Sequence, residues 1–359
     1  MSCSDKCIYI VGCGTNVNNC LGPNNESNEL GFYLIDVPAE VKGIKKLLCG
    51  TTYSAFIDNE GRYYQWGQLS QNHHLYKYPS QLKYFEENKI KIKTASCMNQ
   101  HVAVLTSNYQ IYVWGNNTFG HLPGSNNISD SNPMLINIPN SSKPISVACG
   151  GYFTLILLEN GEVYSFGLNN ENSLGIENQA RVVKTPTKIF QLRNIIQIAA
   201  GWSHSCALSK NQTVFSWGRS SFGRLGHLRD DHISQVDIGE VKKIACSHTS
   251  TFAVKENNRI YACGWNQSGE NGVGDKKCHR QMKELMNVEF EVKAIAGGAE
   301  SCLFLDKNGK VYASGSNNNN VMGIGSMIKE SLAPFHICSL KATLLIATGT
   351  KHSLFVIEV

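Results

Sequence analysis

Short apolar runs with no polar alternation punctuate the chain, among them Phe153-Thr154-Leu155-Ile156-Leu157-Leu158 and Val102-Ala103-Val104-Leu105. A run of this length, bounded by turn residues, predicts a β-strand covered on both faces. A β-prone stretch such as Ile145-Ser146-Val147-Ala148-Cys149 precedes it, and a third strand, Glu162-Val163-Tyr164-Ser165-Phe166, follows a turn. The turn carries Gly61, Gly161, Asn258 or Gly309, residues that accept positive φ at little cost, whereas Tyr109 and Gln212 in the same slot predict a different turn. A weaker fourth strand is expected after a variable loop, opening on a proline as in Pro79-Ser80-Gln81-Leu82, Pro133-Met134-Leu135-Ile136 and Pro186-Thr187-Lys188-Ile189. Proline at a strand start suits an outer edge.

These strands recur in a fixed frame. A first marker, usually Gly, stands 17 positions before a second Gly at 50 and 67, 98 and 115, 150 and 167, 201 and 218, 247 and 264, and 298 and 315, with Met98 and Ser247 as the two exceptions. The segments between repeats vary in length, so the 17-residue span is packed structure and the remainder tolerates insertion. No unit carries the periodicity of a helix pair. Four antiparallel strands per unit, with small residues on the innermost, predict an all-β fold, a β-propeller.

The chain ends set the blade number. Cys7-Ile8-Tyr9-Ile10-Val11-Gly12 matches the later half of a unit, with Gly12 as its second marker and Val11 in the strand position before it. Ile346-Ala347-Thr348-Gly349-Thr350-Lys351-His352-Ser353-Leu354-Phe355-Val356 matches the first half. Joined, they make a seventh blade, so a single seven-bladed domain over 1–359 is expected, closed by about 7–35 with about 342–359, the other six blades lying between about 44 and 338.

Composition narrows the function classes. A charged fraction of 17% and a net charge of +5 force no nucleic-acid partner, and no apolar stretch approaches a membrane span or a signal-peptide core. The thirteen cysteines are odd in number and form no CxxC, which predicts reduced thiols and an intracellular, nuclear or cytoplasmic, protein. Cys49, Cys97, Cys149 and Cys246 share one repeat position and read as small buried apolar side chains. There is no GxxxxGK, GxGxxG, HExxH or GxSxG, so no catalytic residue, cofactor, metal site or small-molecule substrate is expected. Asp230-Asp231-His232 reads as a solvated loop, and Lys42-Gly43-Ile44-Lys45-Lys46, Lys89-Ile90-Lys91-Ile92-Lys93 and Lys242-Lys243 enter three first strands, where they either keep a sheet edge soluble or, aligned on one face, touch phosphates or an acidic histone patch.

An apolar run into Ala-Cys-Gly, a frequent His three residues on, a turn Gly and then Val-Tyr-x-Trp-Gly resembles the repeat of the regulator of chromosome condensation family, the Ran guanine nucleotide exchange factor. Ala199-Ala200-Gly201-Trp202-Ser203-His204-Ser205-Cys206-Ala207-Leu208 and Ser221-Phe222-Gly223-Arg224-Leu225-Gly226 carry both halves of that pattern. The resemblance implies the propeller fold and admits exchange factors, chromatin-binding proteins, a plant ultraviolet photoreceptor, a β-lactamase inhibitor and the propellers of ubiquitin ligases. Loop acids typical of the exchange factor are replaced by Thr51, Asn99, Gly151, Trp202, His248, Ala299 and Thr350. Its histidine position is kept at His101, His204 and His352, where a structural bridge to a neighbouring backbone carbonyl is expected. Trp66, Trp114 and Trp217 directly precede second markers and read as core, against a photoreceptor; Trp202 is a loop residue, either an exposed interface anchor or a ring folded back on blade packing.

The expected function is a scaffold or adaptor, possible chromatin association included, that binds a macromolecule, a small GTPase or a histone among the candidates, through one loop face. The face is placed at Asn99, Gln100, Tyr152, Trp202, His248, Glu300 and Lys351, and the protein is expected to be monomeric. Guanine nucleotide exchange on a Ran-like GTPase is the alternative.

Overall fold

The computed structural model describes residues 7–23, 31–71, 73–124, 129–177, 180–228, 232–340 and 342–359. Asp230 and Asp231 of the predicted solvated loop lie outside them. Among the described residues the strands form seven four-stranded antiparallel sheets, the blades of a propeller. Six blades are continuous in sequence, 44–81, 92–136, 144–188, 195–235, 241–284 and 292–336, called here the first to the sixth. The closing blade orders Thr343–Thr348, His352–Glu358, Ile8–Gly14 and Tyr33–Ile35 from the axis outward. Every residue of Ile8–Gly14 pairs with the strand His352–Glu358, from Ile8 opposite Glu358 to Gly14 opposite His352. Cys7 and Val359 exchange two further backbone hydrogen bonds at 3.0 and 3.1 Å, so the two chain ends close the ring.

The core lies between blades. Each of the seven apolar clusters draws on two adjacent sheets; at the closure, Ile10, Leu354 and Val356 meet Leu47, Phe56 and Trp66 of the first blade. The second strands Tyr53–Asp58, His101–Thr106, Phe153–Leu158, His204–Ser209 and Ser301–Asp306 are buried along their whole length, as their unbroken apolar character requires. Trp66, Trp114 and Trp217 are at most 1% exposed. Two of them also tie blades together: the Trp66 indole donates to the Cys20 carbonyl at 2.8 Å and the Trp217 indole to the Ser173 carbonyl at 3.0 Å.

The second marker is the sharpest link between sequence and geometry. Gly67, Gly115, Gly167, Gly218, Gly264 and Gly315 all have φ between +78° and +125°, and a Cβ on any of them would lie 2.3 to 2.6 Å from a loop carbonyl oxygen of the same blade. That carbonyl accepts the N–H just after the marker, for example Asn116 N–H to Gln100 at 2.8 Å and Ser316 N–H to Glu300 at 2.8 Å. In the closing blade this role belongs to Gly14, not to Gly12: Gly14 has φ +108°, pairs with His352, and the next N–H, of Thr15, reaches Lys351 at 2.8 Å. Cys13, not Val11, therefore occupies the position of the core tryptophans. A two-residue offset preserves the in-out alternation of a strand, so the apolar pattern alone did not separate the two glycines.

Two further expectations are corrected. Tyr109 and Gln212 do not change the hairpin turn; they adopt φ +65° and +61°, close to Asn258 at +67°, and keep the hydrogen bond back to Thr106 and Ser209 that Gly161 makes to Leu158. The left-handed region costs a non-glycine residue only about 1–2 kcal/mol, which the flanking ladder overrides. The prolines do not open the fourth strands. Pro79 and Pro186 lie inside Tyr76–Gln81 and Val182–Lys188, where the register slips, and a bulge on an outermost strand spares the N–H that proline lacks.

Candidate protein-interaction face

Loops joining first to second strands and loops leaving third strands emerge at one end of the ring, and a collar of backbone bonds joins the former around the axis. Thr51 N–H donates to Asn99 O at 3.1 Å, Gly151 to Trp202 at 3.0 Å, Trp202 to His248 at 2.9 Å, His248 to Gly298 at 3.1 Å and Thr350 to Gly50 at 3.3 Å. Asn99, at φ +55°, bridges to the next blade through its side chain instead, Nδ2 donating to Gly151 O at 3.4 Å. First markers are small because the collar is tight: a Cβ on Gly201 would lie 2.1 Å from the His204 ring, and one on Gly349 2.1 Å from Gly50 O.

Beneath the collar the repeat histidines lock blades to one another. His101 Nε2 meets Thr154 Oγ1 at 3.2 Å, His204 Nε2 meets Thr251 Oγ1 at 3.1 Å, and His352 Nε2 meets Ser54 Oγ at 2.9 Å across the ring closure. The bridge is structural, to a side-chain hydroxyl of the next blade, and for His101 and His204 also to the next blade's backbone at Phe153 and Ser250, as expected. Burial holds these imidazoles neutral, with His101 and His204 lowered to about 3 and His352 to about 4. Thiols near the axis are inert for the same reason: burial raises Cys149 to about 12, and every described cysteine is free. Cys49 and Cys149 are buried, whereas Cys97 and Cys246, at the same position, are only half-buried.

All seven residues predicted for the face lie at this end, in unequal environments. Tyr152, Trp202 and His248 form a contiguous row, Tyr152 to Trp202 at 5.8 Å between ring centroids and Trp202 to His248 at 5.4 Å. Trp202 is half-buried rather than fully presented, because its indole lies against Gly151, where a Cβ would come within 3.2 Å of it. His248 is buried and lowered to about 4 by that burial. Gln100 is pinned by Asn116 Nδ2 at 3.0 Å, while Glu300, on the sixth blade beside that of His248, and Lys351, on the closing blade, are exposed.

The structure extends the row with residues that the repeat frame did not single out. Phe119, 39% exposed, meets Tyr152 edge-on at 4.8 Å, and the buried His121 lies 5.6 Å from the same ring. Phe222, 43% exposed, meets Trp265 edge-on at 4.5 Å in the neighbouring loops. Phe222 also has φ +64°, a backbone strain that Asn18, Glu171 and Asn319 bear at the equivalent turn. An aromatic crescent therefore spans the second to the fifth blade, and the remainder of the face, with Thr51, Thr52, Thr350 and Lys351, is polar.

The RCC1-like domain model matches residues 73–358, most of this ring. The chain belongs to the RCC1-like domain family. Among curated relatives it is similar to the ultraviolet-B receptor UVR8 of Arabidopsis thaliana, 26% identical over 78% of this chain and 66% of the receptor. It is also similar to the human E3 ubiquitin-protein ligase HERC2, 26% identical over 81% of this chain but 6% of the ligase. The chain thus spans slightly under two thirds of the receptor and a small part of the ligase. Among solved structures it superposes on Prp20p of Saccharomyces cerevisiae with a TM-score of 0.83 at 19% identity, covering 98% of this chain and 92% of that one. Human WBSCR16 gives a TM-score of 0.81 at 19% identity, covering 98% of both chains. These likenesses establish the propeller fold, and the RCC1-like relatives named here are a receptor and a ubiquitin-protein ligase.

Proposed function

We propose that this RCC1-like propeller is an adaptor that holds a protein partner on its loop face, with the aromatic crescent as the anchoring surface. The observation that carries this reading is the pair of half-exposed phenylalanines, Phe119 and Phe222, seated edge-on against Tyr152 of the collar and against Trp265 beside it. Rigid aromatic rings rimmed by polar residues are the usual makeup of an interface centre. Asn99, Gln100, Glu300 and Lys351 form the polar rim.

The Prp20p structure was reported together with that protein's binding to Gsp1p and histones, which makes guanine nucleotide exchange and chromatin association the readings to set against the adaptor. The exchange reading is disfavoured here by the loop acids that are absent from Thr51, Asn99, Gly151, Trp202, His248, Ala299 and Thr350. Affinity capture with the intact chain, once with EDTA and once with magnesium and GTP, separates the two. The adaptor predicts a partner retained equally in both and lost with Phe119→Ala/Phe222→Ala. A small GTPase retained only with EDTA would replace it by the exchange reading.

A further inference from the structure

The opposite end of the ring carries a different chemistry, and the inference drawn from it is independent of the loop-face reading. The seven innermost strands, Ile44–Cys49, Ile92–Met98, Pro144–Cys149, Ile195–Ala200, Val241–Cys246, Val292–Gly297 and Thr343–Thr348, surround the axis. They hold six lysines, Lys45, Lys46, Lys93, Lys242, Lys243 and Lys293, and not one Asp, Glu or Arg. All six enter at the end remote from the collar. None forms an ion pair among the described residues.

Their ammonium groups are met by neutral acceptors instead. Lys45 Nζ donates to Ile92 O at 2.8 Å, Lys293 Nζ to Leu344 O at 3.1 Å, Lys243 Nζ to Lys293 O, and Lys242 Nζ to the Asn258 side chain, while Lys93 Nζ rests 5.0 Å from the Tyr109 ring centroid. Asp58, the carboxylate that acts on Lys45, is already held by the Arg62 side chain and by the N–H groups of Glu60 and Arg62 at 3.0 and 2.7 Å. Lys46 and Lys243 occupy the same position in their strands, four residues before the first marker, on the first and fifth blades. Two blades, the sixth and the closing one, separate them around the ring. Loss of bulk water lowers both amines, and Lys243 is lowered further by the charges of Lys242 and Lys46. Nearer the collar the same strands carry Leu48 on the first blade and small residues, Ser96, Ala148, Ala199, Ala245, Ala296 and Ala347, on the other six.

We propose that this lysine-lined mouth of the central channel binds a compact multivalent phosphate anion. Walls of low polarity around uncompensated charge focus the field and reward an anion that brings several charges into a small volume. Flexible ammonium point charges suit phosphate oxygens arriving from several directions. A compact ligand is favoured over a duplex or a folded acidic surface, because the six lysines are gathered around the axis on the innermost strands rather than spread over an outer surface.

The test is calorimetric titration of the full chain with inositol hexakisphosphate as the compact probe, tripolyphosphate as the linear one, and orthophosphate and a short DNA duplex as comparisons. One hexakisphosphate per chain is expected, with a raised melting temperature. Lys46→Gln/Lys243→Gln is expected to weaken it at least about tenfold, as loss of contacts to charged groups does. Lys210→Gln/Lys310→Gln, which removes the same net charge from exposed turns, is expected to leave it unchanged. The proposal is overturned if the unmodified chain does not bind hexakisphosphate, if both double variants lose affinity equally, or if the duplex binds more tightly and ignores the channel substitutions. Should the channel variant fail to fold, protection of Lys46 from amine acetylation by hexakisphosphate in the unmodified chain decides the matter, and no protection overturns it.

Discussion

At Gly115 a methyl group would sit 2.3 Å from the Gln100 carbonyl oxygen, on a backbone at φ +125°. At Gly124 the backbone is also left-handed, φ +75°, but nothing lies within 4 Å of a Cβ. Gly115→Ala is therefore expected to cost more than about 3 kcal/mol and Gly124→Ala only about 1 kcal/mol, read from urea midpoints. Similar losses would show that the carbonyl contact relaxes. The same reasoning predicts that Gln212→Gly, which relieves φ +61° but loses the bond from Gln212 Nε2 to Glu256 Oε1 at 3.0 Å, stabilises the fold by about 0.5 kcal/mol. Tyr109→Gly gains less, because the Tyr109 ring supports Lys93 and Lys143 at 5.0 and 4.7 Å. In the six continuous blades the second marker was legible in the sequence because its geometry admits no other residue, whereas in the closing blade two nearby glycines, Gly12 and Gly14, competed for it. The hairpin turn was misread because a penalty of about 1 kcal/mol is small enough for Tyr109 and Gln212 to absorb.

Among the elements, the inter-blade histidines make stability depend on pH. His101 and His204 are lowered to about 3, and His121, His248 and His352 to about 4, in each case chiefly by burial, from an ordinary value of 6.5. The unfolded chain binds these protons first, so their contribution is full above pH 6.5 and is lost as pH falls toward the folded values, at up to about 1.4 kcal/mol per pH unit for each. Unfolding free energies measured from pH 7 to pH 5 should fall steeply, and His204→Gln should remove one proton from the slope. A flat profile would mean that the histidines are solvated. The strands themselves were legible, since buried second strands leave no polar alternation to confuse them. The crescent was legible only at Tyr152, Trp202 and His248, which hold constant offsets from the marker. Phe119 and Phe222 stand four residues after their second markers, where Asn18, Glu171 and Asn319 stand in other blades, and Trp265 directly after its own. The signal was an aromatic at these fixed positions, but which rings meet across blades depends on loop packing the repeat does not constrain.

For the whole molecule, closure by the two chain ends is the point on which the ring depends. Removing residues 1–15 would strip the outer partner from all of His352–Glu358, leaving it paired only to Thr343–Thr348, and expose the apolar surface of Leu354 and Val356. Such a chain is expected to associate or to melt well below the intact protein, as an unpaired sheet edge does; unchanged size-exclusion and melting behaviour would contradict closure through these strands. The seven-blade count was legible because a half repeat at each end can be joined in one way, whereas the asymmetry of the loop face depends on side chains that the repeat does not constrain. The most direct test of that asymmetry is the dissociation constant of the captured partner for four chains: unmodified, Phe119→Ala/Phe222→Ala, Glu300→Ala/Lys351→Ala on the polar side of the same face, and Lys46→Gln/Lys243→Gln at the opposite end. The crescent pair should weaken binding by at least about tenfold, with the other two within about threefold, because a few buried aromatics carry most of an interface's energy. Equal affinity in the crescent variant, or a loss confined to the opposite end, would contradict the assignment of the loop face.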